Sequence, residues 1–325
     1  MGMLYPESSP FHGLKRVYIR SMTPREEEIL LNISFYKDGT LIERLIASCL
    51  SEPKVTMKEV EELVVGDKQA ILISLRITGY GSEAGLTMTC PECEAKSEIS
   101  INLGKTAMQE LVSDPNILEI GANLFQTILP TKKVVTWKYL TDIPIVLLGQ
   151  QPGDSDEEDG PVIRFLLDSI LSINGSTDKA YVNAMCRKMA IRDSNMFRKL
   201  VDSTKPWISI THNYDCEYCR YQELMTMACN NNIFEIKPGD REAVYLEPFF
   251  ILGYYYGMTP ETYMNFPVEY KRWLAKRINA EIEAAHKNGQ NPPSKAPHDN
   301  DPQVRALTGK TREVGTTAPM HHRFT

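Results

Sequence analysis

An α+β fold is predicted for this chain of 325 residues by three observations. Short stretches alternate apolar and polar residues as half-buried strands do, longer stretches carry helix caps and helical apolar spacing, and both recur in one order at a fixed offset. The offset comes from the two Cys-x-x-Cys pairs, Cys90/Cys93 and Cys216/Cys219, which differ by 216 − 90 = 126 positions. At that spacing Asp67 falls on Asp193, and Val60, Leu63 and Val65 fall on Cys186, Met189 and Ile191. Ile99, Ile101 and Leu103 fall on Met225, Met227 and Cys229. Nearer the N-terminus, Arg16–Pro24 matches Val134–Asp142 at 141 − 23 = 118. The difference of 126 − 118 = 8 equals the length of the acidic, glycine-bounded stretch GDSDEEDG (Gly153–Gly160), which reads as an exposed insertion loop.

Each copy therefore predicts the same series. A strand comes first, KRVYIRS from Lys15 or KVVTWKYL from Lys133. In the first copy a helix follows, with Thr23 as N-cap, Pro24 at the first helical position and acidic residues in the first turn; the matching TDIPIVLLGQQ is less clearly helical. Next come apolar runs read as helical over 41–50 and 162–173, then helices led by Asp67 and Asp193. Strand, Cys-x-x-Cys turn and strand close each copy. After Cys229, IFEIKPGDREAVYLEP (233–248) reads as a strand, and a helix begins near Pro260 or Pro267 and stops at Gly289. From Gln290 the chain is polar and proline-rich. The predicted organisation is an N-terminal arm (1–14), a first α+β repeat (15–103), a connector (104–132), a second repeat (133–229), an aromatic and helical segment (230–289) and an extended polar tail (290–325).

With 42% hydrophobic and 24% charged residues the chain can bury a core, and a net charge of −6 opposes a protein whose main task is gripping a phosphate backbone. No apolar run reaches the roughly 18–20 residues of a membrane span. The start MGMLYPESSPFHGLKR lacks a signal-peptide core, and Gly2 lacks the following Ser or Thr of an acylation signal. These features predict a soluble protein made in the cytoplasm.

Seven cysteines, four of them in two Cys-x-x-Cys pairs, suit metal ligation in a reducing compartment better than a disulfide framework. Cys49, Cys186 and Cys229 lie among apolar residues and are expected as buried thiols. A Cys-x-x-Cys hairpin turn supplies two thiolates, half of a tetrahedral shell. Packing the two copies together would close the shell, so Cys90, Cys93, Cys216 and Cys219 are predicted to hold one zinc per chain. An all-thiolate shell leaves no position for water, which makes the zinc structural. Glu94 and Arg220 stand where such turns favour a small residue. His212 is an alternative ligand, although its place four residues before Cys216 reads as strand. A redox Cys-x-x-Cys opens a helix, whereas EAKSEISINL after Cys93 alternates like a strand.

No catalytic constellation is present: the histidines lie mostly in polar terminal segments, and His-x-x-x-His, Gly-x-Ser-x-Gly and glycine-rich phosphate loops are absent. The chain is read as a non-enzyme. The acidic insertion lacks the ordered ligands of an EF-hand. The aromatic stretch FFILGYYYGMTP (Phe249–Pro260) reads as core or interface.

The series VYIRSMTPREEEIL, LRITGYGSEAGLTMTCPECEAKSEISINL, DSNMFRKLVDSTKPWISITHNYDCEYC, YLEPFFILGYYYGMT and FPVEYKRWLAKRI, spread over roughly residues 10–285, resembles baseplate hub and hub-assembly proteins of contractile-tailed bacteriophages. The resemblance implies a non-enzymatic virion or assembly protein inside a symmetric tail machine, in contact with hub, tube or tape-measure subunits. Residue by residue it carries over only the four cysteines as metal ligands. The alternative is a nucleic-acid-binding zinc-ribbon protein, such as a transcription or replication factor, using Lys15, Arg16, Arg20, Arg187, Lys188, Arg192, Arg198 and Lys199 as a basic surface.

Overall fold

Thr23, Pro24 and Glu26 start the first helix in the computed structural model, which describes residues 4–142, 159–227, 231–237 and 239–287. Glu26 Oε2 accepts from the Thr23 N–H at 2.8 Å and from its hydroxyl at 2.7 Å, tying the cap to helix α1 (Pro24–Leu31). Then come α2 (Ile33–Lys37), α3 (Leu41–Cys49) and β2 (Leu50–Glu52), which pairs antiparallel with β1 (Tyr18–Ile19). After α4 (Met57–Glu61), α5 (Val65–Tyr80) carries Asp67 in its first turn, and the hairpin β3 (Glu83–Thr89)–β4 (Lys96–Asn102) follows.

The next stretch, expected as a connector, contains strands. β5 (Ala107–Gln109), β6 (Leu118–Gly121) and β7 (Leu124–Ile128) precede β8 (Val134–Trp137). α6 (Pro161–Ser169), β9 (Ile170–Ile173), α7 (Lys179–Arg187) and α8 (Ile191–Thr204) lead to the hairpin β10 (Trp207–Asp215)–β11 (Gln222–Met227). One antiparallel sheet has the order β6-β7-β8-β9, and β5 pairs with β10 to give β11-β10-β5. The architecture is α+β.

The apolar runs over 41–50 and 162–173, expected as helix throughout, switch to strand at their ends. The Arg20 N–H donates to Cys49 O and the Lys138 N–H to Ser169 O, each at 2.9 Å, so an adjacent strand satisfies a carbonyl that the helix end leaves open. The predicted strand over 233–248 is also corrected. Residues Asn231–Phe234 form a 3₁₀ turn, and Asp240 O accepts from the Val244 N–H at 2.9 Å to begin a helical run. That run is a π-helical turn (Glu242–Leu246) continuing into α9 (Glu247–Tyr256). Gly257, left-handed at φ 65°, ends it. α10 (Pro260–Met264) and α11 (Val268–Lys287) complete the described chain. Residues 153–158 of the acidic insertion, Cys229, Gly289 and the tail from Gln290 lie outside the described residues.

One hydrophobic core runs through both halves, from Leu45, Leu72 and Leu75 to Val135, Trp137 and Phe197. Trp137 anchors its second half, 4.9 Å from the Phe125 ring and edge-on to Phe197 at 5.6 Å. The halves also meet backbone to backbone. The Val65 N–H donates to Leu140 O at 2.9 Å, and a Cβ on Gly66 would stand 2.1 Å from the Pro206 carbonyl oxygen. Only glycine permits that approach.

Candidate metal centre

Each Cys-x-x-Cys sits at the tip of a hairpin whose strands hold it in register, with Thr89 opposite Lys96 in one and Asp215 opposite Gln222 in the other. The same two backbone bonds close each tip. The Cys90 N–H donates to Ala95 O at 2.9 Å and the Glu94 N–H to Cys90 O at 3.0 Å; Cys216 and Tyr221 pair at 2.9 Å, and the Arg220 N–H meets Cys216 O at 2.8 Å. Glu94 and Arg220 have φ 57° and 61°, the left-handed conformation that their position after the second cysteine predicts.

The tips face one another. The sulfurs of Cys90, Cys93, Cys216 and Cys219 all lie within 4.8 Å of each other. Cys90 Sγ is 3.6 Å from Cys219 Sγ, and Cys93 Sγ is 3.6 Å from Cys216 Sγ, so the closest contacts cross between the halves. A disulfide needs about 2.05 Å, and these thiols are free. A tetrahedral ion with ~2.3 Å arms to sulfur sets its ligands about 3.8 Å apart, close to what is observed. The donor set therefore fits one thiophilic metal ion.

Cys90 and Cys216 are buried, whereas Cys93 and Cys219 face solvent. Backbone N–H groups of Cys219 and then Tyr218 favour the Cys216 thiolate and hold that thiol down to about 6. At Cys219 the Tyr221 N–H also favours the thiolate, but desolvation and the crowding of Cys93, Cys90 and Cys216 outweigh it and push the thiol up to about 12. Four adjacent thiolates resist joint ionisation unless a cation compensates them.

Tyr214, missed by the sequence reading, supports the cage. It lies two residues before Cys216 on the same face of β10, is buried against Cys90 and Cys216, and shares a 3.0 Å hydrogen bond with Ser97 Oγ of β4. The i, i+2 spacing carries the signal for its side, but its partner on the other hairpin is set only by the fold. His212 lies further down β10 opposite Met225 and is not part of the four-sulfur group. Cys49 and Cys186 are buried thiols as expected, with burial pushing them up to about 12 and about 11.

Several residues of the candidate basic surface are engaged locally. Arg20 pairs with Glu26 at 2.7 Å, Arg187 with Asp159 at 2.7 Å, Arg192 with the Pro130 carbonyl, and Arg198 with Asn195. Among the described residues no helix is long and apolar enough to cross a membrane.

No curated protein and no solved structure gives a significant match to the chain. The family described as T4 bacteriophage base plate protein matches over residues 10–235, a span that includes the sheet, both hairpins and all four clustered cysteines. With more than half of its length matched, the chain belongs to the T4 bacteriophage base plate protein family.

Proposed function

We propose that the protein is a structural, non-enzymatic component of the baseplate hub of a phage tail, or the factor that assembles it, and that one zinc held by Cys90, Cys93, Cys216 and Cys219 stabilises it. Family membership over residues 10–235 carries the reading of role, and virion tail location and tail-protein partners follow from that role. The convergence of four free thiols carries the reading of the metal. Soft thiolates select zinc over hard cations, and a closed four-sulfur shell reserves no site for substrate or water.

The reading includes an internal two-copy plan, supported element by element. β1 pairs with β2 across α3, and β8 pairs with β9 across α6. α5 and α8 each carry an aspartate in the first turn. Asp67 accepts from the Tyr5 hydroxyl at 2.6 Å, and Asp193 from the Thr131 hydroxyl at 2.5 Å. Each series then ends in a Cys-x-x-Cys hairpin. A nucleic-acid-binding zinc ribbon is not favoured: the net charge is −6, and several of the arginines it would use are tied to carboxylates or carbonyls.

Disrupting the gene in its phage and imaging the lysate by electron microscopy tests the role. The expected result is heads and tail fragments without complete baseplates, rescued by supplying the protein. Normal tails with intact baseplates would overturn it.

A further inference from the structure

The C-terminal helices present two exposed faces that neither the family match nor the cysteine cage explains. A helix that is apolar on every side belongs in a core or an interface, and α9, EPFFILGYYY, carries Glu247 as its single charge. Leu252 enters a small satellite core with Tyr263 and Ile278. On the other side of the run, Leu246, Phe250 and Tyr254 follow at four-residue spacing and are 48%, 58% and 37% exposed. The Phe250 and Tyr254 rings stack at 6.2 Å, forming one ridge. Glu242 and Glu247 flank it, and residues 242–256 include no Lys or Arg. The outer face of α11 has the opposite balance. Tyr270 and Trp273 are 57% and 62% exposed, beside Arg272, Lys276 and Arg277. With Glu269 on the same face and Glu281 paired to Arg277 at 2.9 Å, the cations still outnumber the acids there.

We propose that the α9 ridge of one copy docks on the α11 face of a second copy, head to tail. Both faces carry the large aromatic side chains that dominate interface energetics, and their flanking charges are complementary. Ridge against ridge would instead set Glu242 and Glu247 near their own copies, a like-charge arrangement that disfavours a twofold pairing. A head-to-tail contact leaves one ridge and one face free at the ends, so it propagates and closes into a ring when the rotation permits. The inference uses neither the metal nor the hub reading, and its failure would leave both untouched.

Sedimentation of the full chain over the micromolar range tests it. The expected result is a mass that rises with concentration above the 36.9 kDa of one chain. Phe250→Asp and Trp273→Asp should each sediment as monomers with unchanged circular dichroism. An equimolar mixture of the two should form a dimer and nothing larger, because each retains one intact face. A second pair reads charge alone: Glu247→Lys and Lys276→Glu should each weaken association, and both changes in one chain should restore it. A wild type that stays monomeric, a variant that still assembles, a mixture that stays monomeric, or a double charge variant without recovery would each overturn the proposal.

Discussion

Glu94 and Arg220 hold positive φ at the turns that present the cysteines, and a side chain there costs roughly 1 kcal/mol relative to glycine. Glycine's larger unfolded-state freedom offsets some of that. Glu94→Gly and Arg220→Gly should therefore raise stability by a few tenths up to ~1 kcal/mol in thermal melts. A loss of stability would show that these side chains make contacts the turns depend on. Glu26 sets a pH dependence at the same scale. Burial alone would raise its carboxyl, but hydrogen bonds from Arg20, Ser48 and Thr23 outweigh it and hold it below the ordinary range. Its contribution is fully present above the usual glutamate value of ~4.3 and is lost as pH falls through the lower folded value. Glu26→Gln should flatten the acid side of the stability profile; an unchanged profile would contradict the assignment.

At the scale of elements, α11 is fastened to the body by a buried ion pair. Lys271 Nζ meets Glu27, Tyr80 donates to Glu27 at 2.8 Å, and Lys271 also reaches Val244 O at 3.0 Å. Removing one partner leaves an uncompensated buried charge, at a cost of about 3–5 kcal/mol. Lys271→Ala should show that loss in urea unfolding, and Glu27→Leu with Lys271→Met should recover most of it. Little in the sequence marks this pair, because its members are 244 positions apart. The elements that were legible carry their signals locally. Thr23-Pro24 caps α1, alternation marks β3 and β4, and Cys-x-x-Cys marks both hairpin tips. β6 and β7 form a local hairpin that went unread inside the expected connector, and only β7 pairs onward with the later strand β8. The stretch 233–248 alternates like a strand, yet the Asp240 turn sends it into helix. Gly66 is likewise invisible as a contact until Pro206 arrives against it. Gly66→Ala should cost about 1–3 kcal/mol through overpacking, read by the same unfolding experiment.

For the whole molecule, the continuous core limits what a metal at the four cysteines would hold together. The sequence predicts a structural zinc between the two copies, but Val65 to Leu140, the β5–β10 pairing and the shared apolar cluster join the halves independently of the four cysteines. On the proposed reading, chelation should loosen the two hairpins and Tyr214 while leaving the core sheet protected in hydrogen exchange. The four cysteines were legible as one site because the repeat offset related them, whereas their crosswise 3.6 Å contacts belong to the packing.

Metal analysis of the purified chain and two cysteine variants tests the central claim most directly. The account predicts about one zinc per chain, lost in both Cys90→Ser and Cys216→Ser, since each half supplies indispensable ligands. Two metals per chain, no metal in the wild type, or full retention in either variant would contradict it.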